Sequence, residues 1–210
     1  MIHFPESTFV HRRMPKEAFY QRLNLTPVLK EKFVSDVDRI VVENSMTKEN
    51  LNLTADSDVK EILVLVINLK KQEFDGKVVE AIARQNPHKL LFLLCYDNRI
   101  QLALYQGKLY YSPWQPESEI QLEARGQSIG EIWDSFIEQI ALTEVQADAA
   151  PGVSVEERLK LLDKKEKLEK RISALQQKLR KEKQFNKQVQ LNAELKRLRK
   201  ELEGLCAGGN

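Results

Sequence analysis

The stretch EILVLVINLK, residues 61–70, decides the fold of the first part of the chain. Residues 62–67 are apolar at every position, and most of them are β-branched. Such a run is typical of a strand that is buried on both faces of its sheet. We therefore predict a central strand here, with other elements covering both of its faces.

Further strand patterns surround this run. They lie at residues 39–47, 89–96, 99–105 and 108–112, and a weaker edge pattern lies at 118–124. Tight turns at Asp97-Asn98 and Gln106-Gly107 join three of these runs, which indicates antiparallel hairpins. We predict an α+β (or α/β) fold for residues 1–142, with a mixed, largely antiparallel sheet of about four to five strands.

Short helices are predicted to pack on this sheet. Apolar residues recur at helical spacing in residues 11–23, 27–37, 77–85 and 128–142. Pro15 and Pro27 each suit a first helical turn, because the N–H that proline lacks has no helical partner there. Thr26 is a favourable N-cap for the second of these helices.

The composition changes after residue 142. Residues 143–154 are small and polar and contain a Pro-Gly pair, as expected of a linker. Residues 155–205 contain no proline and carry leucines at helical spacing. We predict that this segment is a basic arm, either a long coiled-coil helix or a helical hairpin, followed by a disordered tail at residues 206–210.

The stretch KEKQFNKQVQLN, residues 181–192, interrupts the leucine pattern of the arm. If the segment were one continuous helix, the apolar residues before and after this stretch would lie on different sides of it. The angle between the two sides is larger than the drift that supercoiling absorbs. Three interpretations remain open. The stretch is a bend between two helices, a stutter in one coiled coil, or a docking surface for a partner.

The arm supplies two sets of candidate partner-binding residues. The first set would form a hydrophobic seam, and consists of Leu168, Ile172, Leu175, Leu179, Leu195, Leu198 and Leu202. The second set would form the docking surface within the interruption, and consists of Gln184, Phe185, Asn186, Val189, Leu191 and Asn192. A cluster of amides beside an aromatic residue favours docking, because polar residues at seam positions usually cost stability.

The net charge of +2 hides an unequal distribution. Residues 154–205 carry a net charge of +7, whereas residues 1–153 carry −5. Two interpretations remain open: the arm contacts nucleic acid or an acidic partner, or its charges only keep a helical surface in solution. Arg12, Arg13 and Lys16 form a second basic cluster, which is either a phosphate site or an ordinary salt-bridged surface.

The residues that carry chemistry form no convincing catalytic set. Three histidines and two cysteines are scattered through the chain without the spacing of metal ligands. A metal-dependent nuclease is the nearest enzymatic alternative, because Asp58, Glu61 and Lys70 lie around the central strand. However, Asn68 stands where such a site needs a second carboxylate. We therefore predict no catalytic residue, no metal and no cofactor.

Four stretches of the chain resemble a known bacterial family. They are FPESTFVHRRMPKEAFYQRL, NLTPVLKEKFVSDVDRIVVENSMT, EILVLVINLK and KEKQFNKQVQLNAELKRLRKELE. Together they resemble the bacterial domain of unknown function numbered 4391. The resemblance implies an α/β body with a coiled-coil end. It also implies a gene neighbourhood of DNA methyltransferases and helicase-type restriction subunits, but no established activity.

These observations lead to one functional expectation and two alternatives. We expect a cytoplasmic, non-catalytic accessory or adaptor protein of a restriction-modification or phage-defence system. It would bind a helicase or methyltransferase subunit, or a second copy of itself, through the arm. The first alternative is a nucleic-acid-binding protein that uses the basic arm and the cluster Arg12, Arg13 and Lys16. The second is the metal-dependent nuclease. No apolar run approaches the roughly 20 residues that cross a bilayer.

Overall fold

A computed structural model describes residues 2, 4–15, 17, 23–142 and 153–207. The chain forms two compact units, Met1–Ala141 and Leu142–Asn210. The predicted linker falls largely on residues 143–152, which lie outside the described residues. The same holds for residues 208–210 of the predicted tail, whereas residues 206 and 207 of that tail belong to the last helix.

The first unit is built on a mixed, largely antiparallel sheet. Its strands are β1 (Phe9–Met14), β2 (Val37–Thr47), β3 (Glu61–Leu69), β4 (Lys89–Tyr96), β5 (Arg99–Gln106), β6 (Lys108–Tyr111) and β7 (Gln115–Pro116). Strands β1 to β6 lie side by side in chain order, and β7 pairs with β5. Among the strand pairs of the described residues, the one between β3 and β4 is parallel and the others are antiparallel. The predicted strand directions are therefore confirmed.

The sheet is larger than predicted, with seven strands instead of about four to five. The main reason is β1, which occupies residues predicted to begin a helix. Arg12 and Arg13 pair with β2 opposite Val42 and Val41, so the hydrogen bonds of the sheet override a weak helical pattern. Lys16 and residues 18–22 of that predicted helix lie outside the described residues.

The prediction of an edge strand at residues 118–124 is also wrong, because these residues form no strand. Ile120 and Leu122 are instead buried. Their apolar spacing therefore reflects packing of an irregular segment. The short strand β7 forms just before it, and places Gln115 opposite Ile100 of β5.

Strand β3 is central because helices cover both faces of the sheet. Helices α1 (Pro27–Asp36) and α2 (Lys77–Arg84) pack on one face, where Phe33 and Ile82 share a buried cluster with Ile67. Helix α3 (Ile129–Ala141) contacts β3, β5 and β6. Side chains alternate along a strand, so the intervening residues of β3, such as the fully buried Val64, face the other side.

The second unit contains two antiparallel helices, α4 (Val155–Lys181) and α5 (Phe185–Ala207). Ser154 begins α4 with a capping box, in which its hydroxyl and backbone pair with Glu157. The ion pairs Lys164–Glu201 and Arg171–Glu194 connect the helices along their length. The arm is thus two helices rather than one, and the interruption is a bend. A stutter within one continuous helix is ruled out.

The bend is formed by side chains rather than by glycine or proline. The Glu182 carboxylate accepts hydrogen bonds from the backbone N–H groups of Lys183 and Gln184. These bonds lower the pKa of Glu182, with the bond from Gln184 contributing most. The Gln188 amide donates to the Glu182 carbonyl oxygen at 2.7 Å. One acid and one amide therefore satisfy the backbone groups that the chain reversal leaves free.

Candidate interaction surface

The predicted seam residues lie against one another within a single chain. Leu168, Ile172, Leu175, Leu195 and Leu198 are buried, and Leu179, Leu191 and Leu202 pack against them. Since the two leucine sets belong to different helices, each set provides the apolar face that covers the other. A partner has no access to these side chains while the two helices remain packed.

The predicted docking residues divide into exposed and structural ones. Phe185 is 76% exposed and Val189 is 52% exposed, in the first turns of α5. No other large hydrophobic side chain that the structure describes is as exposed as Phe185. Asn186 is also exposed, whereas Leu191 is part of the seam. The backbone of Gln184 belongs to the bend.

Phe185, Val189 and Asn192 continue along one face of α5. Lys196 and Arg199 follow at the same alternating spacing of four and three residues, which keeps them on this face. A groove of about 670 Å³ runs along it. Its lining residues are Gln176, Leu179, Arg180, Asn192, Leu195, Lys196, Arg199, Lys200 and Glu203. We call this surface the basic flank.

The opposite side of the helix pair has a different charge pattern. The ion pairs Arg171–Glu194 and Lys164–Glu201 lie there, because Glu194 and Glu201 fall across the seam from Lys196 and Arg199 on α5. The basic flank contains four cations, Arg180, Lys196, Arg199 and Lys200, and one acid, Glu203. The two sides of the unit are therefore electrostatically distinct.

The N-terminal basic cluster is only partly described. Arg12 and Arg13 are exposed on β1, and Lys16 lies outside the described residues. His11 contacts Glu43 at 3.0 Å, and its ring stacks on Phe9. The two arginines thus lie in the first unit, on a strand that projects its side chains into solvent.

The nuclease candidates do not come together. Glu61 is the first residue of β3 and Lys70 follows its last residue, so they lie roughly 30 Å apart along an extended strand. The Lys70 ammonium donates to the Val34 carbonyl oxygen at 2.9 Å. Glu61 instead accepts one hydrogen bond from the Ser45 hydroxyl, and its carboxylate contacts His88 at 3.0 Å.

Glu61 and His88 line a small pocket that was not predicted from the sequence. The pocket has a volume of about 290 Å³ and includes Lys48, Asp56 and Ser57. The pairing of Glu61 with His88 depends on the parallel contact between β3 and β4, which places the starts of both strands together. The linear sequence offers no signal for this contact, since 26 residues separate the pair.

Asp36 is a buried polar residue that sequence analysis also missed. Its carboxylate pairs with the Lys71 ammonium at 2.8 Å, and accepts hydrogen bonds from the Ser35 hydroxyl and the Asp75 N–H. Burial would raise the pKa of Asp36, but these partners outweigh it and hold the pKa below its ordinary value. All of its partners lie within the fold, so Asp36 anchors the loop after β3.

The described residues contain no group of three or more histidine, cysteine, aspartate or glutamate side chains placed to hold a metal ion. None of their helices is long and apolar enough to cross a membrane.

A comparison with protein families gives one match. The model of a family described as a domain of unknown function matches residues 2–202, nearly the whole chain. No curated protein and no solved structure matches the chain significantly.

Proposed function

We propose, since the chain belongs to the family described as Domain of unknown function (DUF4391), that it is a non-catalytic adaptor protein. Its setting would be the cytoplasm of a bacterium, within a restriction-modification or phage-defence system. Its partner would be a helicase or DNA methyltransferase subunit. The family resemblance supports this setting, and the helical unit supports the mode of binding.

The exposure of Phe185 and Val189 carries the proposal. Large apolar side chains in contact with water cost free energy, and a contiguous exposed pair marks an interaction site more often than a scattered one does. Both residues lie beside the bend, at the end of a rigid helix pair whose own seam is filled. An aromatic residue on a rigid support is the kind of anchor that dominates protein interfaces.

The filled seam limits how a partner can bind. Leu168, Ile172 and Leu175 contact Leu195 and Leu198 of the same chain. A coiled coil with a partner, or with a second copy, would first have to separate these side chains. Docking at the exposed end of the helices needs no such rearrangement, so we assign binding to Phe185 and Val189.

A capture experiment from a native host tests the proposal. The tagged full chain and its Phe185→Ala/Val189→Ala variant are incubated with lysate that has been treated with a nuclease, which removes bridging nucleic acid. We expect the native chain to capture a helicase or methyltransferase subunit. The variant should capture at least about tenfold less of it, since loss of a dominant anchor residue costs about 1.4 kcal/mol or more of binding free energy.

A matched variant controls for the loss of apolar surface. Phe9 is 60% exposed and Val34 is 47% exposed, both in the first unit. The Phe9→Ala/Val34→Ala variant should retain the partner. Capture of no such subunit by the native chain, or equal capture by the Phe185→Ala/Val189→Ala variant, would contradict the proposal.

A further inference from the structure

We infer that the basic flank of the helical unit binds single-stranded nucleic acid, through its phosphate backbone and one stacked base. This inference goes beyond docking of a protein partner, because it adds the cations of the basic flank to the exposed ring of Phe185. Its basis is the position of the positive charges, the absence of ion pairs at these cations within the described residues, and the exposed aromatic ring on the same flank.

The positive charge is concentrated near the bend. Arg171 lies opposite Glu194 and Lys164 lies opposite Glu201, so residues 170–195 form the half of the helix pair next to the bend. This half contains seven lysines and arginines and two acids, whereas the rest of residues 155–207 contains nine and seven. The net charges are +5 and +2. A helix pair that needed charge only for solubility would have no reason to concentrate it in one half.

The cations of residues 176–200 have no acidic partners within ion-pair distance among the described residues. They are Lys178, Arg180, Lys181, Lys183, Lys187, Lys196, Arg197, Arg199 and Lys200, and none forms a salt bridge with the described residues. The two acids of the region are already engaged. Glu182 accepts hydrogen bonds from the bend, and Glu194 pairs with Arg171. Glu203 offsets one of the four cations of the groove, which leaves the basic flank with a net charge of +3.

Four of these cations line the groove of the basic flank. Arg180 comes from α4, and Lys196, Arg199 and Lys200 come from α5. Together with the amides of Gln176 and Asn192 in the same groove, they match the groups that hold phosphate and sugar oxygens in nucleic-acid complexes. A protein partner would need a strongly acidic surface to match them. A nucleic acid supplies a negative charge at every nucleotide.

Phe185 makes a single strand the favoured form. Its ring is 76% exposed and lies on the same face of α5 as Asn192, Lys196 and Arg199. Proteins that bind single strands combine a positive groove with aromatic rings on which bases stack. The bases of a duplex are already stacked on one another and cannot use such a ring.

Fluorescence anisotropy with the full chain tests the inference. The probes are labelled 20-nucleotide oligo-dT and oligo-rU strands and a 20-base-pair duplex, at 50 to 200 mM salt. Four phosphate contacts on a single strand predict that affinity falls roughly 50-fold over this range. We expect equal affinities for oligo-dT and oligo-rU, because both strands offer the same phosphates and a base face for stacking.

Two variants of equal net charge separate the basic flank from charge in general. The first is R180Q/K196Q/R199Q/K200Q, and the second is K160Q/K164Q/K167Q/K170Q, whose four positions on α4 lie away from the groove. We expect the first to lose at least about tenfold in affinity at 50 mM salt and most of its salt dependence, and the second to bind like the native chain. Circular dichroism verifies that both variants keep their helices.

Three results would overturn the inference. The first is that the native chain binds no strand at 50 mM salt. The second is that both fourfold variants weaken binding equally. The third is that the duplex binds as tightly as the single strand and Phe185→Ala does not change the affinity. The protein-docking proposal has a separate test, because partner capture is measured after nuclease treatment. The fourfold variant R180Q/K196Q/R199Q/K200Q keeps Phe185 and Val189, so loss of oligonucleotide binding with retained capture distinguishes the two.

Discussion

Asp36 shows how one buried acid organises the end of a sheet. Its carboxylate connects the end of α1 to the loop that follows β3, through Lys71 and the backbone of Asp75. The Lys70 N–H also bonds to the Asp36 carbonyl oxygen at 2.8 Å. Main-chain and side-chain atoms of one residue thus fix the geometry at which β3 leaves the sheet.

We predict that Asp36→Ala lowers the free energy of unfolding of the first unit by about 1.5–3 kcal/mol, the usual range for hydrogen bonds to a charged group. Urea denaturation followed by tryptophan fluorescence measures it, because Trp133 is buried in the same unit. Asp38→Ala, an exposed acid two residues away, is the control and should change stability little.

The contribution of Asp36 should depend on pH in a defined direction. The folded pKa is lowered from its ordinary value of 3.8, so the ionised form stabilises the fold at neutral pH. That stability is lost as the pH falls through the folded pKa. The difference in stability between the native chain and Asp36→Ala should therefore shrink below about pH 4. A constant difference from pH 7 to pH 3 would contradict this assignment.

Cys95 offers a second test at the level of one residue. Burial raises the pKa of its thiol to about 11, with the nearby Glu117 adding to the shift. The thiolate is the reactive form, so alkylation at pH 8 should be roughly 100-fold slower than for a thiol with the ordinary pKa of 9.0. In a Cys206→Ser variant, iodoacetamide labelling should be slow in buffer and fast in urea. Equal rates would show that Cys95 is not shielded.

The helix pair is held together by a narrow apolar seam. Leu195 is 4% exposed at its centre, whereas Leu161 on α4 is 48% exposed. We predict that Leu195→Ala destabilises the helical unit by about 2–4 kcal/mol, the usual cost of truncating a buried leucine. Amide hydrogen exchange of α4 and α5 measures it, because local opening raises the exchange rate. Leu161→Ala is the matched control, and similar protection in both variants would contradict the seam.

Elements with strong local patterns could be predicted from the sequence. The apolar run of β3 and the seam leucines of both helices gave correct elements, because their burial pattern is set by local spacing. The N-terminal strand was missed, because Arg12 and Arg13 carry no strand pattern and depend on pairing with the distant β2. The position of the bend was visible as a change of face. The residues that form the bend were not predicted, because Glu182 takes the place of the usual glycine or proline.

The candidate site was predictable in part for the same reason. Phe185 and Val189 stood out because they leave the leucine pattern, and the structure places both in solvent. The basic flank was not visible, because it joins Arg180 of one helix to Lys196 and Arg199 of the next. Their proximity depends on the antiparallel packing of α4 and α5. The pairing of Glu61 with His88 likewise depends on two distant strand ends.

The whole molecule has an uneven charge that its near-neutral total conceals. We predict that the chain is retained on a cation-exchange resin at pH 7.5 despite a net charge of only +2, since the clustered cations of the basic flank contact the resin first. R180Q/K196Q/R199Q/K200Q and K160Q/K164Q/K167Q/K170Q have the same net charge. The first should elute at lower salt, and co-elution of the two would show that total charge governs retention.

Strand β1 also has a consequence for the molecule as a whole. It ends one side of the sheet, and a β-bulge between Phe9 and Arg12 shifts its register. His11 has a positive φ of 43° there, and two arginines follow it. A kinked, charged border strand is a poor template for a further strand. On the β1 side, the sheet therefore offers neighbouring copies no straight ribbon on which a fibre could grow.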